Sequence, residues 1–341
     1  MEIFTNTPKV QSARRTNVEL ILSQHDFRCA TCVRGGNCNL QKLARELNII
    51  EIPYKIEVEE HPWDASYPLI RDAAKCIKCM RCVQVCDKIQ TMGVWDIINT
   101  GKRTSVSTVD MQDIQAMDCA LCGQCITHCP TGALRERNDT VKVMDAIMDP
   151  EQIVIAQIAP AVRVAWGEGF GLPAEEATVG KMVSAARQIG FDYVFDTDFS
   201  ADLTIMEEGH ELLERLLQKK EAKMPMFTSC CPGWVRFMKS QFPTYVDHLS
   251  TAKSPQQMFG AVAKTYYADI LGVTPDKITC VSIMPCTAKK YECAVPQVND
   301  SGAERDVDVA LTTREFVRML CAAQVNIETL EEDTFDEPLG L

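Results

Sequence analysis

The chain has 341 residues, enough for two or three domains that each bury a core. Its hydrophobic content of 46% and charged content of 24% are ordinary for a globular protein, and a formal net charge of -12 excludes the basic stripe of a nucleic-acid binder. The longest apolar stretch, Ile153 to Trp166, is broken by Gln157 and Arg163, so no membrane span is predicted; Met1-Glu-Ile-Phe lacks a secretory pattern, which predicts a cytoplasmic protein. The charge is uneven. Residues 1–50 hold seven Lys and Arg against four Asp and Glu, a mildly basic end able to steer an acidic small protein toward it. Eleven of the 17 cysteines lie before residue 130, and in a chain without a leader such cysteines point to metal binding or catalysis instead of disulfides.

In chain order, the first cysteine group is His25-x3-Cys29-x2-Cys32-x5-Cys38. Three thiolates and an imidazole suit a tetrahedral zinc or an iron–sulfur cluster, and this spacing alone leaves both open. A helix is predicted over Leu40 to Leu47, then a polar link through Trp63. Next comes Cys76-x2-Cys79-x2-Cys82-x3-Cys86, which recurs 43 residues later as Cys119-x2-Cys122-x2-Cys125-x3-Cys129-Pro130; where the second run has Pro130, the first has Asp87. This is the spacing of two-cluster ferredoxins, in which the fourth cysteine of each run ligates the other run's cluster. Cys76, Cys79, Cys82 and Cys129 are thereby assigned to one 4Fe-4S cluster, and Cys119, Cys122, Cys125 and Cys86 to a second. Beside two such clusters the His25 group reads as a third, outlying one. A neutral imidazole in place of an anionic thiolate would raise its potential.

From Glu151 the pattern becomes strand-then-helix. Short buried strands are predicted at Ile153 to Ile158, Tyr193 to Phe195, Pro225 to Phe227, Ile278 to Ile283 and Val307 to Leu311. Helices are predicted at Ala174 to Ile189, Ser200 to Lys219, Pro232 to Phe242, Ser254 to Leu271 and Thr313 to Ala323. The expected fold is α+β ferredoxin-like iron–sulfur modules followed by an α/β domain with a largely parallel sheet, divided as 1–60, 61–148 and 149–341. Phe227-Thr-Ser-Cys-Cys-Pro-Gly-Trp234 puts Cys230 and Cys231 after the third strand, and Met284-Pro-Cys286 follows the fourth. Ligands collect outside the carboxyl ends of such strands, so these cysteines can converge on one site. Adjacent side chains at a turn point apart, so Cys230 and Cys231 are expected to do different work. Cys280, Cys293 and Cys321 read as core thiols or bystanders.

These motifs carry a resemblance. Thr228-Ser-Cys-Cys-Pro-Gly-Trp234, Met284-Pro-Cys-Thr-Ala-Lys-Lys290 with Glu292, the double ferredoxin run and the one-histidine, three-cysteine group, in this order, resemble the catalytic subunit of the FeFe-hydrogenases. The resemblance implies an H-domain and reversible oxidation of dihydrogen to protons and electrons at an H-cluster, a 4Fe-4S cluster bridged to a diiron unit bearing CO, cyanide and a dithiolate amine. It implies Cys231 and Cys286 as ligands of the 4Fe part, Cys230 as the thiol passing protons to the amine, and Lys289 as a donor to a cyanide. Ala159, Pro160, Ser229, Gln256 and Met284 would pack on or hydrogen-bond the diiron unit, and Arg215, Glu211, Ser250 and Glu208 would lead protons to Cys230. Partners implied are dihydrogen, protons, an acidic electron carrier such as ferredoxin, and further redox subunits. The family's glycine-rich third motif, which supplies the other two thiolates, does not occur before Leu341, which leaves three readings: the chain is a fragment, another polypeptide completes the site, or the chemistry has been lost. Rival readings are an electron-transfer subunit and a hydrogenase-like iron–sulfur assembly factor, although the latter relatives lack the double run and the proton-passing cysteine.

Overall fold

The computed structural model describes residues 2–218 and 223–339. Lys219, the last residue of one predicted helix, and the final two of the stretch Phe335 to Leu341 lie outside the described residues. The chain forms two units, Met1–Cys119 with Gly123–Arg137, and Ala120–Cys122 with Asn138–Leu341.

In the first unit, Thr7 caps α1 (Pro8–Leu22) by accepting from the Val10 amide, with Pro8 at a position where no amide is needed. Val18 and Leu22 of this helix pack with Leu40 of α2 (Asn39–Glu46), which starts directly after Cys38. Strand β1 (Leu69–Arg71) precedes Cys76, and β4 (Leu134–Glu136) follows Cys129; the two pair antiparallel, so one ribbon ties off both ends of the double cysteine segment. A second ribbon joins β2 (Trp95–Ile98) to β3 (Ser105–Thr108). The duplication seen in the spacing is repeated in the backbone. Lys78 and Met80 stand at φ 56° and 60°, and the residues 43 positions on, Leu121 and Gly123, at φ 54° and 73°. Left-handed residues of this kind turn the chain back at each step so that successive thiols face inward. Each run then closes on a short helix, α3 (Arg81–Gln84), extended by a π turn, and α4 (Gln124–His128).

The second unit is built on four parallel strands, β5 (Ile153–Ile158), β6 (Tyr193–Asp196), β7 (Ile278–Met284) and β8 (Val309–Thr312), in the order β6-β5-β7-β8. β5 and β7 are buried almost throughout, as strands covered on both faces must be. Alternate residues feed two cores: Val154, Ala156, Ile158, Val281, Ile283 and Leu311 on one side, Ile155, Phe195, Ile278, Cys280 and Ala310 on the other. The helices are α5 (Thr140–Met148), α6 (Pro160–Arg163), α7 (Val179–Gln188), α8 (Asp198–Gln218), α9 (Pro232–Gln241), α10 (Pro255–Val262), α11 (Ala268–Leu271), α12 (Ala288–Glu292) and α13 (Thr313–Ala322). A π turn joins α10 to α11, which makes one helical run of the predicted Ser254 to Leu271.

The predicted strand Pro225 to Phe227 is corrected. Phe227 makes an isolated parallel bridge to Leu249, through its amide to the His248 carbonyl and its carbonyl to the Ser250 amide, and takes no place in the sheet. Pro225 has no amide to extend a ladder. Thr178 delays α7 to Val179 by capping Lys181, where the periodicity predicted a start at Ala174.

Candidate metal centres and active site

His25, Cys29, Cys32 and Cys38 line one cavity of about 450 Å³ in the first unit. α1 delivers His25 and α2 begins at Cys38, so two helix ends fix two of the four donors. His25 is buried and its Nδ1 finds no hydrogen-bond partner. Burial holds the imidazole below its ordinary pKa, against the pull of Asp26, and so keeps it neutral with a free lone pair. Two glycines make room. A Cβ on Gly132 would stand 2.4 Å from Cys32 Sγ, and one on Gly35 would stand 2.7 Å from the Cys29 carbonyl oxygen. An unpartnered imidazole, three free thiols and a cavity larger than one ion's coordination sphere fit an iron–sulfur cluster.

Cys76, Cys79, Cys82 and Cys129 line another cavity of this unit, with Arg71, Trp95, Val106 and Thr131. The crossed set thus meets in one place, three residues from the first run and the last of the second. Burial pushes the Cys82 thiol up to about 12 and raises Cys76, and in both the neighbouring thiols add to the shift. Such thiols ionise only where a cation offsets the charge, which suits iron. The Lys78 amide already points at Cys76 Sγ from 3.4 Å. Of the other set, Cys86, Cys119 and Cys125 are buried in the first unit, and Cys122 is exposed and belongs to the second.

In the second unit, β5 and β7 run side by side and end together, with the Ala159 amide bonded to the Ile283 carbonyl. Ala159, Pro160 and Met284 therefore sit at adjacent carboxyl ends, and Cys286 follows directly. Cys231 caps α9, its sulfur accepting from the Trp234 amide, and a Cβ on Gly233 would lie 3.8 Å from both the Cys231 sulfur and Ala288 Cβ, two residues past Cys286, whose half-buried thiol burial raises, with Cys231 adding to the shift. Cys230 carries different surroundings. Burial raises its thiol, the Lys289 ammonium opposes this, and Glu208 and Cys231 add to it. Lys289 Nζ donates to the Cys230 carbonyl and to Glu292, both at 2.9 Å. Glu292 Oε2 also accepts from Ser254 Oγ and Gln256 Nε2, while Gln256 Oε1 accepts from Ser282 Oγ. Glu292 is thus the residue that fixes the Lys289 ammonium, a role that its place in the motif did not disclose.

The residues of the expected proton route stand in sequence. Arg215 donates from Nε to Glu211 Oε1 at 3.0 Å, Ser250 Oγ donates to Glu211 Oε2 at 2.8 Å, and the Thr251 amide adds a third bond. Despite partial burial these donors hold the Glu211 carboxyl below its ordinary pKa. One turn earlier on α8, Glu208 Oε1 accepts from the Ser229 amide at 3.4 Å, next to Cys230. Ser229 Oγ in turn donates to the Ala252 carbonyl, and the Ala252 amide donates to Ser250 Oγ. Within the same unit, Thr287 Oγ1 donates to the Leu121 carbonyl at 2.6 Å, and Gly233 leaves space for the Ala120 carbonyl, which a Cβ would meet at 2.9 Å. The loop carrying Cys122 is therefore held by the neighbours of Cys231 and Cys286, a contact no local spacing could announce. Cys280 and Cys293 are buried core thiols, and Cys321 is exposed on α13.

Two iron–sulfur binding segments ahead of a parallel α/β domain with one cysteine after a strand end and two at the start of a helix define an iron–sulfur redox protein. Residues 152–341 match the family described as iron only hydrogenase large subunit, C-terminal domain, and the chain belongs to that family. Residues 14–53 match the NADH-ubiquinone oxidoreductase-G iron-sulfur binding region, and 75–133 the 4Fe-4S dicluster domain. Over its whole length the chain is 47% identical to the NADP-reducing hydrogenase subunit HndD of Solidesulfovibrio fructosivorans and 38% identical to iron hydrogenase 1 of Clostridium pasteurianum, spanning 59% of each. Among solved structures, a variant of the FeFe-hydrogenase HydA1 from Chlamydomonas reinhardtii superposes with a TM-score of 0.56 at 40% identity, over 59% of this chain and 52% of that one. Among the described residues no helix is long and apolar enough to cross a membrane.

Proposed function

We propose that the chain is the hydrogen-activating part of an FeFe-hydrogenase that interconverts dihydrogen with protons and electrons, its segments 1–60 and 61–148 carrying electrons between the H-domain, 149–341, and an acidic carrier of ferredoxin type. When bound, the H-cluster supplies the iron at which dihydrogen is split or formed. Cys231 and Cys286 would hold its 4Fe part. Ala159, Pro160, Ser229, Gln256 and Met284 would wall off the diiron unit, and Lys289, steered by Glu292, would present its point charge to an anionic diatomic ligand. Cys230 holds and releases the proton at Sγ. Glu208 reloads it, and Ser250, Glu211 and Arg215 lead on from there toward the surface.

The observation that carries the proposal is the different surroundings of two adjacent cysteines, one capping α9 through its sulfur and the other with its carbonyl on Lys289 and the preceding Ser229 amide on Glu208. A pure electron-transfer subunit has no use for the second. Glu208→Gln in the full-length protein tests the route: hydrogen evolution and uptake should both fall at least about tenfold with cluster spectra unchanged. Undiminished turnover in both directions would remove Glu208 from it.

A further inference from the structure

The guanidinium of Arg71 is buried, and its hydrogen-bond partners are neutral, the Val106 carbonyl and, at 3.5 Å, Ser105 Oγ, both on β3. A buried cation is costly unless an anion faces it. Arg71 ends β1, and its side chain lines the same cavity as Cys76, Cys79, Cys82 and Cys129. On the reading above those four thiolates hold a 4Fe-4S cluster, and such a cluster with its ligands is an anion that gains one more negative charge on reduction. We propose that Arg71 is the buried counter-charge of this cluster and holds its reduction potential up.

The argument rests on place and sign. Arg71 lines the cavity beside Cys76, Cys79, Cys82 and Cys129, and the carboxylates of Glu59 and Asp72 also favour its charge against the burial that disfavours it. Glu59 is bonded to His61 and Ser105 and makes no hydrogen bond to the Arg71 guanidinium, whose own partners are neutral. A fixed positive charge stabilises the reduced cluster more than the oxidised one, since the reduced form carries the extra electron. Little water screens it, because the residue is 5% exposed, so the effect should persist at high salt, where surface lysines lose theirs. Arg71 also lines a second cavity, with His61, Trp63, Asp64 and Asp113.

The test uses the whole protein with its clusters loaded, in an EPR-monitored redox titration. Cys79→Ser first assigns the signal: it should change one 4Fe-4S spectrum, and if it changes none, the cluster that Arg71 is said to face is not held here and the proposal falls with that ligand assignment. Arg71→Gln should then cut the reduced-to-oxidised ratio of that cluster at a fixed ambient potential at least tenfold, a fall of 59 mV for one electron, with the other steps unmoved. Arg71→Lys should restore the ratio to within threefold of the native value, and both results should hold in 1 M salt. If Arg71→Gln fails to retain that cluster while Arg71→Lys retains it, the site needs the charge itself, which equally supports the proposal. An unmoved step in Arg71→Gln, or equal losses of ratio or of iron in the two variants, would overturn it.

Discussion

Gly132→Ala is a one-methyl perturbation with a defined target. The new Cβ would lie 2.4 Å from Cys32 Sγ and 3.6 Å from Lys75 Cδ and Val33 Cγ2. Ordinary non-bonded contact begins near 3.5 Å, so roughly 1 Å must be found in one direction. The Lys75 and Val33 contacts are already normal, which leaves Cys32 to yield. A thiol fixed to iron cannot swing aside without leaving the iron, and overpacking of this degree costs about 1–3 kcal/mol, a factor of roughly 5 to 150 in retention of the cluster. The alternative, displacement of the backbone after Cys129, would strain the neighbouring ligand set as well. The assay is iron content and EPR of the anaerobically prepared protein, with Gly209→Ala as the control, because a Cβ there meets nothing within 4 Å and a helical alanine is favourable. Gly132→Ala should lose the signal of the His25 cluster, about four irons per chain, while Gly209→Ala keeps it. Full iron and an unchanged signal in Gly132→Ala would show that Cys32 is not held at this cavity by a cluster.

His25→Cys should retain the outlying cluster but lower its potential in a redox titration, since an anionic thiolate replaces the neutral imidazole that burial enforces; a rise would refute the charge argument. Lys290→Met should cost about 3 kcal/mol in urea denaturation of the second unit, the low end for breaking a buried pair, because Lys290 Nζ bonds Asp139 at 2.8 Å and Glu315 at 3.0 Å in the interior while Lys142, 3.0 Å from Asp139, still faces that carboxylate. A loss below about 1 kcal/mol would mean that those carboxylates find other partners.

Much of this was legible because iron ligands are spaced by local turns. The x2-x2-x3 spacing already contains the left-handed steps at Lys78 and Met80, and the same geometry returns at Leu121 and Gly123. Strands β5 and β7 were legible for a related reason, since a strand covered on both faces must be apolar throughout. Pro225 to Phe227 misled because three apolar residues before a turn look alike whether they join a sheet or make one bridge to Leu249. Arg71, Gly132 and Glu292 were out of reach for another reason. Each acts through a residue distant in sequence or through a carboxylate's third and fourth partners: Arg71 at Cys129's cavity, Gly132 against Cys32, and Glu292 between Lys289, Ser254 and Gln256. An arginine that ends a three-residue strand, between Ile70 and Asp72, carries no mark of the thiols that will face it.

The central claim is that Cys230 moves protons and Cys231 holds metal, and the most direct test compares Cys230→Ser with Cys231→Ser in the full-length protein by iron content and hydrogen evolution. A serine hydroxyl is a far weaker acid than a thiol, so Cys230→Ser should keep its iron and cluster spectra and lose turnover by about 100-fold or more. Cys231→Ser should lose the 4Fe part itself. Equal iron loss in the two variants, or undiminished hydrogen evolution by Cys230→Ser, would contradict the account.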